Sequence, residues 1–389
     1  MRIVDIRHIT VPIKSDMANA FINFSKMDVS VLAIVTDVIR DGKPVIGYGF
    51  NSNGRYAQPG ILSHRIIPRL LEANPDSLIN EKTGNLDPKL IWQSAMINEK
   101  PGGHGDRAVA VGILDMAAWD LASKLVEKPV HKFMAEESQS GIKTPLEKVW
   151  VYAAGGYYYK NQALSSLTSE MLGYIDLGYR TVKMKIGAVP LAEDLVRIEA
   201  VLNVLPSGCT LAVDANGRFS AQLAVEYAQA LNKLPIHWYE EPTDPLDFQS
   251  LGKVRSAYEG VLATGENIMS GQDAKNLALY GGMDPEKDVL QMDAALSYGF
   301  VEYDQTLKTL GDLGWKSSRF VPHGGHQFNL AIVAACGLGG CESYPGIFEP
   351  FGGFADGYKV ENGYISLPEV PGIGLESKAS LAPILNQLQ

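Results

Sequence analysis

The 389-residue sequence predicts an α/β chain in which a β/α barrel follows a smaller α+β unit. Three observations lead there. After about residue 147, short runs rich in β-branched and aromatic residues alternate with amphipathic stretches. Polar residues end those runs at Lys185, Asp214, Glu240, Glu266, Asp293 and His323, every 26 to 30 residues, about the length of one βα unit. Before residue 140 the order differs, with strands first and helices after.

In the first unit, VLAIVTDVI (31–39) and PVIGYGF (44–50) read as strands, and Asp41-Gly42 between them signals a hairpin. Residues 107–126, RAVAVGILDMAAWDLASKLV, read as a helix. The barrel strands are VWVYAAG, YRTVKMKIG, CTLAVDANG, IHWYEEPT, VLATGEN, DVLQMDAAL and SRFVPHGG. Between them, LAEDLVRIEAVLNVL places Leu191, Leu195, Ile198, Leu202 and Leu205 on one helical face. Ser220 and Ser270 precede helical stretches as N-caps. Residues 350–389, rich in Gly and Pro, leave the repeat and are expected to return to the first unit. The expected division is 1–140, completed by 350–389, against 147–349.

Composition narrows the function. The apolar fraction of 46% suits a large buried core. A net charge of -10 argues against nucleic acid and anionic membrane surfaces as partners. No run is long enough to span a bilayer, and MRIVDIRHIT lacks the apolar stretch of a secretory signal. Three cysteines without C-x-x-C spacing indicate neither a disulfide framework nor a cysteine zinc site, so a cytoplasmic location is expected. Phosphate-loop, G-x-S-x-G, H-E-x-x-H and dinucleotide-loop motifs are all missing.

The strand ends carry the chemistry. Asp214, Glu240 and Glu266 on successive ends would form a costly negative cluster unless a cation sits among them. All-oxygen ligands with room for substrate favour Mg²⁺. Lys183 and Lys185, two apart on one strand, share a face, and their mutual repulsion near a metal would lower one pKa enough for that amine to act as a base. Asp293 would fix the tautomer of His323 and raise its basicity. His326 begins a helix and reads as structural.

With K-x-K, Asp214, the Glu of EEP, the Glu of GEN and an Asp–His pair in this order, the chain resembles the enolase superfamily, mandelate racemase subgroup, over nearly its whole length. The helix ILDMAAWDLASKL (113–125) is similar to one that borders the barrel in that family. The resemblance implies a modified (β/α)7β TIM-type barrel under an N-terminal α+β capping domain. It implies Mg²⁺ on Asp214, Glu240 and Glu266, with Glu241 unassigned. Lys185 corresponds to the base, Lys183 to a group that binds the carboxylate and lowers the base's pKa, and His323 with Asp293 to an acid/base on the opposite face.

The activity implied is a carbon–oxygen lyase that dehydrates a small anionic hydroxy-carboxylate to a 2-keto acid. Likeness is greatest to members that convert D-tartrate to oxaloacetate. Dehydration of another acid sugar, or racemisation or epimerisation of an α-hydroxy acid, stays open. So do a non-catalytic carboxylate-binding barrel and a lysine Schiff-base lyase. Lys100 and Arg55 are candidates for a second carboxylate, residues 21–27 and 51–56 for capping loops, and Tyr157, Tyr159, Glu342, Ser343 and Tyr344 for substrate contact. A homo-oligomer is expected.

Overall fold

The computed structural model describes residues 1–13, 15, 17–139, 142–159 and 163–389. It begins with an antiparallel sheet of β1 (Ile3–Pro12), β2 (Asp28–Arg40) and β3 (Lys43–Phe50), in that order. Asp41 and Gly42 both take positive φ, 48° and 76°, the twist a two-residue hairpin needs. β1 was not foreseen, because its IVDIRHITVP carries charges among its apolar residues and lies half-exposed at the sheet edge.

Helix α1 (Asp106–Leu125) is buried almost all round, which suits its apolar composition on every face. One side receives β3 at very short range. A Cβ on Gly47 would lie 2.2 Å from Ala117 O, and one on Gly49 2.1 Å from Ile113 O, so only glycine permits this approach. The other side meets the barrel, where Gly112 abuts the carbonyl of Ala295. Two buried aspartates complete the junction. Asp115 Oδ2 accepts from Phe300 N at 2.5 Å, and Asp120 accepts from Tyr48 N at 2.9 Å and Ile373 N at 2.7 Å.

The barrel then follows as alternating strands and helices: β4 (Lys148–Ala154), α2 (Leu164–Asp176), β5 (Thr181–Lys185), α3 (Leu191–Val204), β6 (Thr210–Asp214), α4 (Ala221–Leu231), β7 (Ile236–Glu240), α5 (Phe248–Ala257), β8 (Leu262–Thr264), α6 (Gly271–Tyr280), β9 (Val289–Leu290), α7 (Phe300–Asp312), α8 (Gln327–Cys336) and β10 (Cys341–Ser343). The strands pair in parallel in the order β10-β4-β5-β6-β7-β8-β9. Ser220 and Ser270 cap α4 and α6 by accepting from Leu223 N and Asp273 N. On α3 the fully buried positions are Asp194, Ile198 and Val201, so the buried face is rotated from the leucine stripe and includes a carboxylate.

Between β9 and β10 the expected strand SRFVPHGG is only a single bridge, Phe320 to Leu290. Pro322 lacks a donor, and Gly324 and Gly325 turn the chain with φ of 104° and 53°. Isolated hydrogen bonds still close the ring here, from Val321 N to Leu290 O, His323 N to Gln291 O and Glu342 N to Pro322 O. The result is the (β/α)7β architecture under a sheet-and-helix cap.

The last stretch adds β11 (Tyr364–Ser366) antiparallel to β4, then runs to the first sheet, where Arg7 Nη1 donates to Leu388 O. Among the described residues Cys209, Cys336 and Cys341 form no disulfide. Among the described residues no helix is long and apolar enough to cross a membrane.

Candidate active site

Register builds the site. Parallel pairing sets Lys185 beside Asp214 and Asp214 beside Glu240. Neighbouring strands lie about 4.8 Å apart, so these side chains leave the sheet at one level. Glu266 follows β8 after Gly265, whose φ of 131° turns the chain toward the mouth. One oxygen from each of Asp214, Glu240 and Glu266 lies within 4.8 Å of the others.

Two lysines make this crowding tolerable. Lys185 Nζ is 2.5 Å from Asp214 Oδ2, while Lys183 Nζ is 2.5 Å from Glu240 Oε1, 2.7 Å from Glu342 Oε1 and 3.4 Å from Asp214 Oδ2. Carboxylates outnumber ammonium groups, however. Glu266 Oε2 is buried without a hydrogen-bond partner, its nearest cationic atom being His323 Nε2 at 3.6 Å. Three convergent carboxylates with an unsatisfied oxygen fit a hard divalent cation.

The lysines depart from expectation in two ways. Burial works against their charge, but the adjoining carboxylates outweigh both burial and the mutual repulsion, so both are held above the ordinary lysine range. Lys183, two residues back along β5, also sits one layer deeper. It is fully buried beside Glu240, Glu342 and Asp214 and is not among the residues that line the cavity.

His323 faces Lys185 across the mouth. β10 and β4 separate their segments one way round the barrel, and β6 to β9 the other. Its Nδ1 is 3.1 Å from Asp293 Oδ2, which leaves Nε2 toward the cavity, 3.1 Å from Tyr344 Oη. Burial disfavours the imidazolium, but Glu266, Glu342 and Asp293 raise its pKa to about 9. Asp293 is held from several sides. Asn329 Nδ2 donates to Oδ1 at 2.8 Å and His326, the N-cap of α8, lies 3.5 Å from the same oxygen. Burial would raise the Asp293 carboxyl, but the two histidines hold it well below the usual range.

Lys185, Glu266 and His323 line one cavity of about 30 Å³. Tyr157 and Tyr344 line it from the barrel, and both capping loops reach it, through Ile22 and Phe24 and through Asn53 and Arg55. Hollows of about 530 and 570 Å³ lie elsewhere, beside Tyr179 and Lys378 and beside Lys43 and Gln389, but neither gathers this chemistry.

Other expected contacts fall outside the cavity. Lys100 is exposed, its carbonyl accepts from Arg107 Nη1 at 3.0 Å, and it is not among the residues that line the cavity. Ser343 points outward, as strand alternation requires, and bonds Tyr179 Oη at 2.6 Å. Tyr159 is half-buried against the core and does not line the cavity. Glu342 is buried behind it, held by Lys183 and by Gly324 N at 2.9 Å. Arg55 does line it, and its Nη2 donates to Asn267 Oδ1.

Several participants were not foreseen. Glu240 Oε2 accepts from Trp238 Nε1 at 2.8 Å and Gln291 Nε2 at 3.0 Å, which pins that carboxylate from the barrel floor. Trp238 lies two residues before Glu240, and Gln291 two before Asp293, so period-two reading of the strand ends would have found both. Asn267 joins Arg55 to Glu241, donating to both carboxylate oxygens at 2.8 and 3.0 Å. Asn53 Oδ1 and Asn216 Oδ1 are buried at the cavity without hydrogen-bond partners among the described residues, a feature with no sequence signal.

Residues 166–381 match the family model described as enolase C-terminal domain-like. The chain belongs to the enolase superfamily. Among enolase-superfamily relatives, arabinonate dehydratase of Saccharolobus solfataricus is 28% identical over 283 residues, covering 69% of this chain and 71% of that protein. L-talarate/galactarate dehydratase of Salmonella typhimurium is 26% identical over 309 residues, covering 78% and 71%. A magnesium-bound structure of a racemase from Streptomyces coelicolor superposes with a TM-score of 0.77 at 22% identity, over 95% of this chain and 96% of that one. That likeness establishes a mandelate racemase-like fold.

Proposed function

We propose that this enolase-superfamily chain is a Mg²⁺-dependent hydro-lyase that dehydrates a hydroxy-carboxylate to a 2-keto acid, with D-tartrate to oxaloacetate as the reaction. The observation that carries the reading is one cavity lined by Lys185 and His323 from opposite sides, beside a convergent acidic triad. Dehydratases of other acid sugars among the relatives support the reaction class.

Asp214, Glu240 and Glu266 would hold the ion, and Trp238 and Gln291 would keep Glu240 oriented. An ion held there would supply positive charge against the dianion left by α-proton loss, and with Asp214 engaged as its ligand the Lys185 amine would be freer to be neutral. Lys185 Nζ, as the free amine, takes the proton from the carbon beside the carboxylate. The electron pair left behind forms the carbon–carbon double bond and expels the β-hydroxyl. His323 Nε2, kept protonated by its acidic neighbours, gives that group a proton so that it leaves as water. The enol then takes a proton on carbon, gives up its hydroxyl proton to solvent and becomes the 2-keto acid. Asp293 holds the imidazole, Lys183 and Glu342 balance charge beneath the site, and Arg55 meets the second carboxylate.

The test is keto-acid formation from D-tartrate and a panel of hydroxy acids, with and without EDTA. Magnesium-dependent oxaloacetate is expected from D-tartrate. A second reading is racemisation, favoured by the two-sided placement of Lys185 and His323. Decay of optical rotation with no keto acid from any substrate would establish that reading instead.

A further inference from the structure

The two halves of the cavity are unlike. One lies over the carboxylates of β6 to β8. The other, over β4 and β10, is a wall of four interlocked rings. Phe348 meets Phe24 at 4.9 Å, Tyr344 at 4.9 Å and Tyr157 at 5.8 Å between centroids, each edge-on, and Phe24 meets Tyr157 at 5.7 Å in the same way. All four are between 1% and 3% exposed, so none has free space to swing into.

The wall starts right beside the groups that flank the reacting carbon. Tyr344 Oη is 3.1 Å from His323 Nε2, and Lys185 Nζ stands 5.1 Å from the centre of the Tyr157 ring. With the substrate carboxylate toward Asp214, Glu240 and Glu266, its α-carbon between Lys185 and His323 and its second carboxylate at Arg55, the rings close the rest of the cavity against any added length. The cavity, about 30 Å³, is far smaller than the hollows of about 530 and 570 Å³ elsewhere on the chain, and Phe24 and Phe348 both line it. Extra carbons bearing hydroxyls would press on the edges of Phe24 and Phe348, which offer no hydrogen-bonding atom.

We propose that Phe24 and Phe348 form a chain-length stop that admits four-carbon diacids and turns away six-carbon ones. This deepens the hydro-lyase reading and rests on it for where the carboxylate sits. Phe24 comes from the capping loop and Phe348 from the loop after β10, so the stop is assembled between cap and barrel.

The test uses the whole protein with Mg²⁺. Calorimetric affinities for succinate, glutarate and adipate report length preference without turnover, and kcat/KM for tartrate and galactarate reports it with turnover. Affinity is expected to fall at least about tenfold from four to six carbons, the scale on which single methylenes are discriminated. Phe24→Ala and Phe348→Ala are expected to raise the six- to four-carbon ratio at least about tenfold. Adipate bound as tightly as succinate, or no diacid bound at all, overturns the stop, as does an unchanged ratio in both folded variants. Should an alanine variant not fold, Phe24→Leu and Phe348→Leu carry the comparison, and the wild-type length series decides by itself if those fail too. A cut-off at four carbons without keto acid from any substrate leaves the stop standing and removes the hydro-lyase reading.

Discussion

Two ionic clusters in this molecule, one largely buried and one reaching the surface at Glu376, use the same residue types to different ends. At the cap, Asp120, Lys124 and Glu376 join α1 to the C-terminal stretch. Asp120 takes backbone donors from Tyr48 and Ile373, and Lys124 Nζ gives to Ile46 O at 3.0 Å as well as to both acids. Every charge there has its partners. At the barrel mouth, Asp214, Glu240, Glu266 and Glu342 share Lys183, Lys185 and His323, which Asp293 also holds, and Glu266 Oε2, Asn53 Oδ1 and Asn216 Oδ1 lack hydrogen bonds among the described residues. Surplus charge and unsatisfied atoms mark the cluster built to receive something. Saturation marks the one built to hold the fold.

That contrast predicts which property each substitution damages. Lys185→Ala should lower kcat/KM on tartrate by about 10³–10⁴-fold while circular dichroism stays native. Retained turnover would take Lys185 out of the chemistry. Asp120→Ala should do the reverse, lowering unfolding free energy by about 3–5 kcal/mol with kcat per folded molecule unchanged. A loss of kcat in folded D120A would blur the distinction.

A third buried charge site sharpens it further. Burial pushes the His131 imidazole from 6.5 down to about 4, and Glu369, 3.8 Å away, opposes this only partly. The ring is neutral when folded, so the unfolded chain binds more protons between pH 4 and 6.5. The stability it contributes is full above pH 6.5 and is lost as pH falls toward 4, by at most about 3 kcal/mol. His131→Gln should flatten that part of the profile in thermal melts, and an equal acid slope in both proteins would dismiss the effect. Smallest is Trp238→Phe, which removes one anchor of Glu240 and should weaken Mg²⁺ binding by roughly 10–100-fold in a calorimetric titration. An unchanged metal affinity would show that Gln291 alone suffices.

The barrel was legible because its strands end where apolar runs meet single polar residues, and the 26–30-residue interval placed those ends on one rim. Registers such as Lys185 beside Asp214 follow from that regularity. Depth and loop reach were not legible. Lys183 and Lys185 look equivalent in K-x-K, yet Lys185 lines the cavity while Lys183, one layer of strand deeper, is buried against Glu240. Lys100 misled because where a cap loop points depends on tertiary contacts such as Arg107 to Lys100 O, which leave no local pattern. β1 escaped because a half-exposed edge strand dilutes its alternation with charge.

The packing of α1 has a consequence for anyone wishing to redesign this enzyme. Its glycine-mediated seat under β3, its Gly112 seat against the stretch that follows Asp293, and its grip on Phe300 N make it a shared spine. A lid borrowed from another protein would have to bring its own version of that spine. Otherwise the graft would disturb the aspartate that steadies His323 at the same moment it changed which molecules enter.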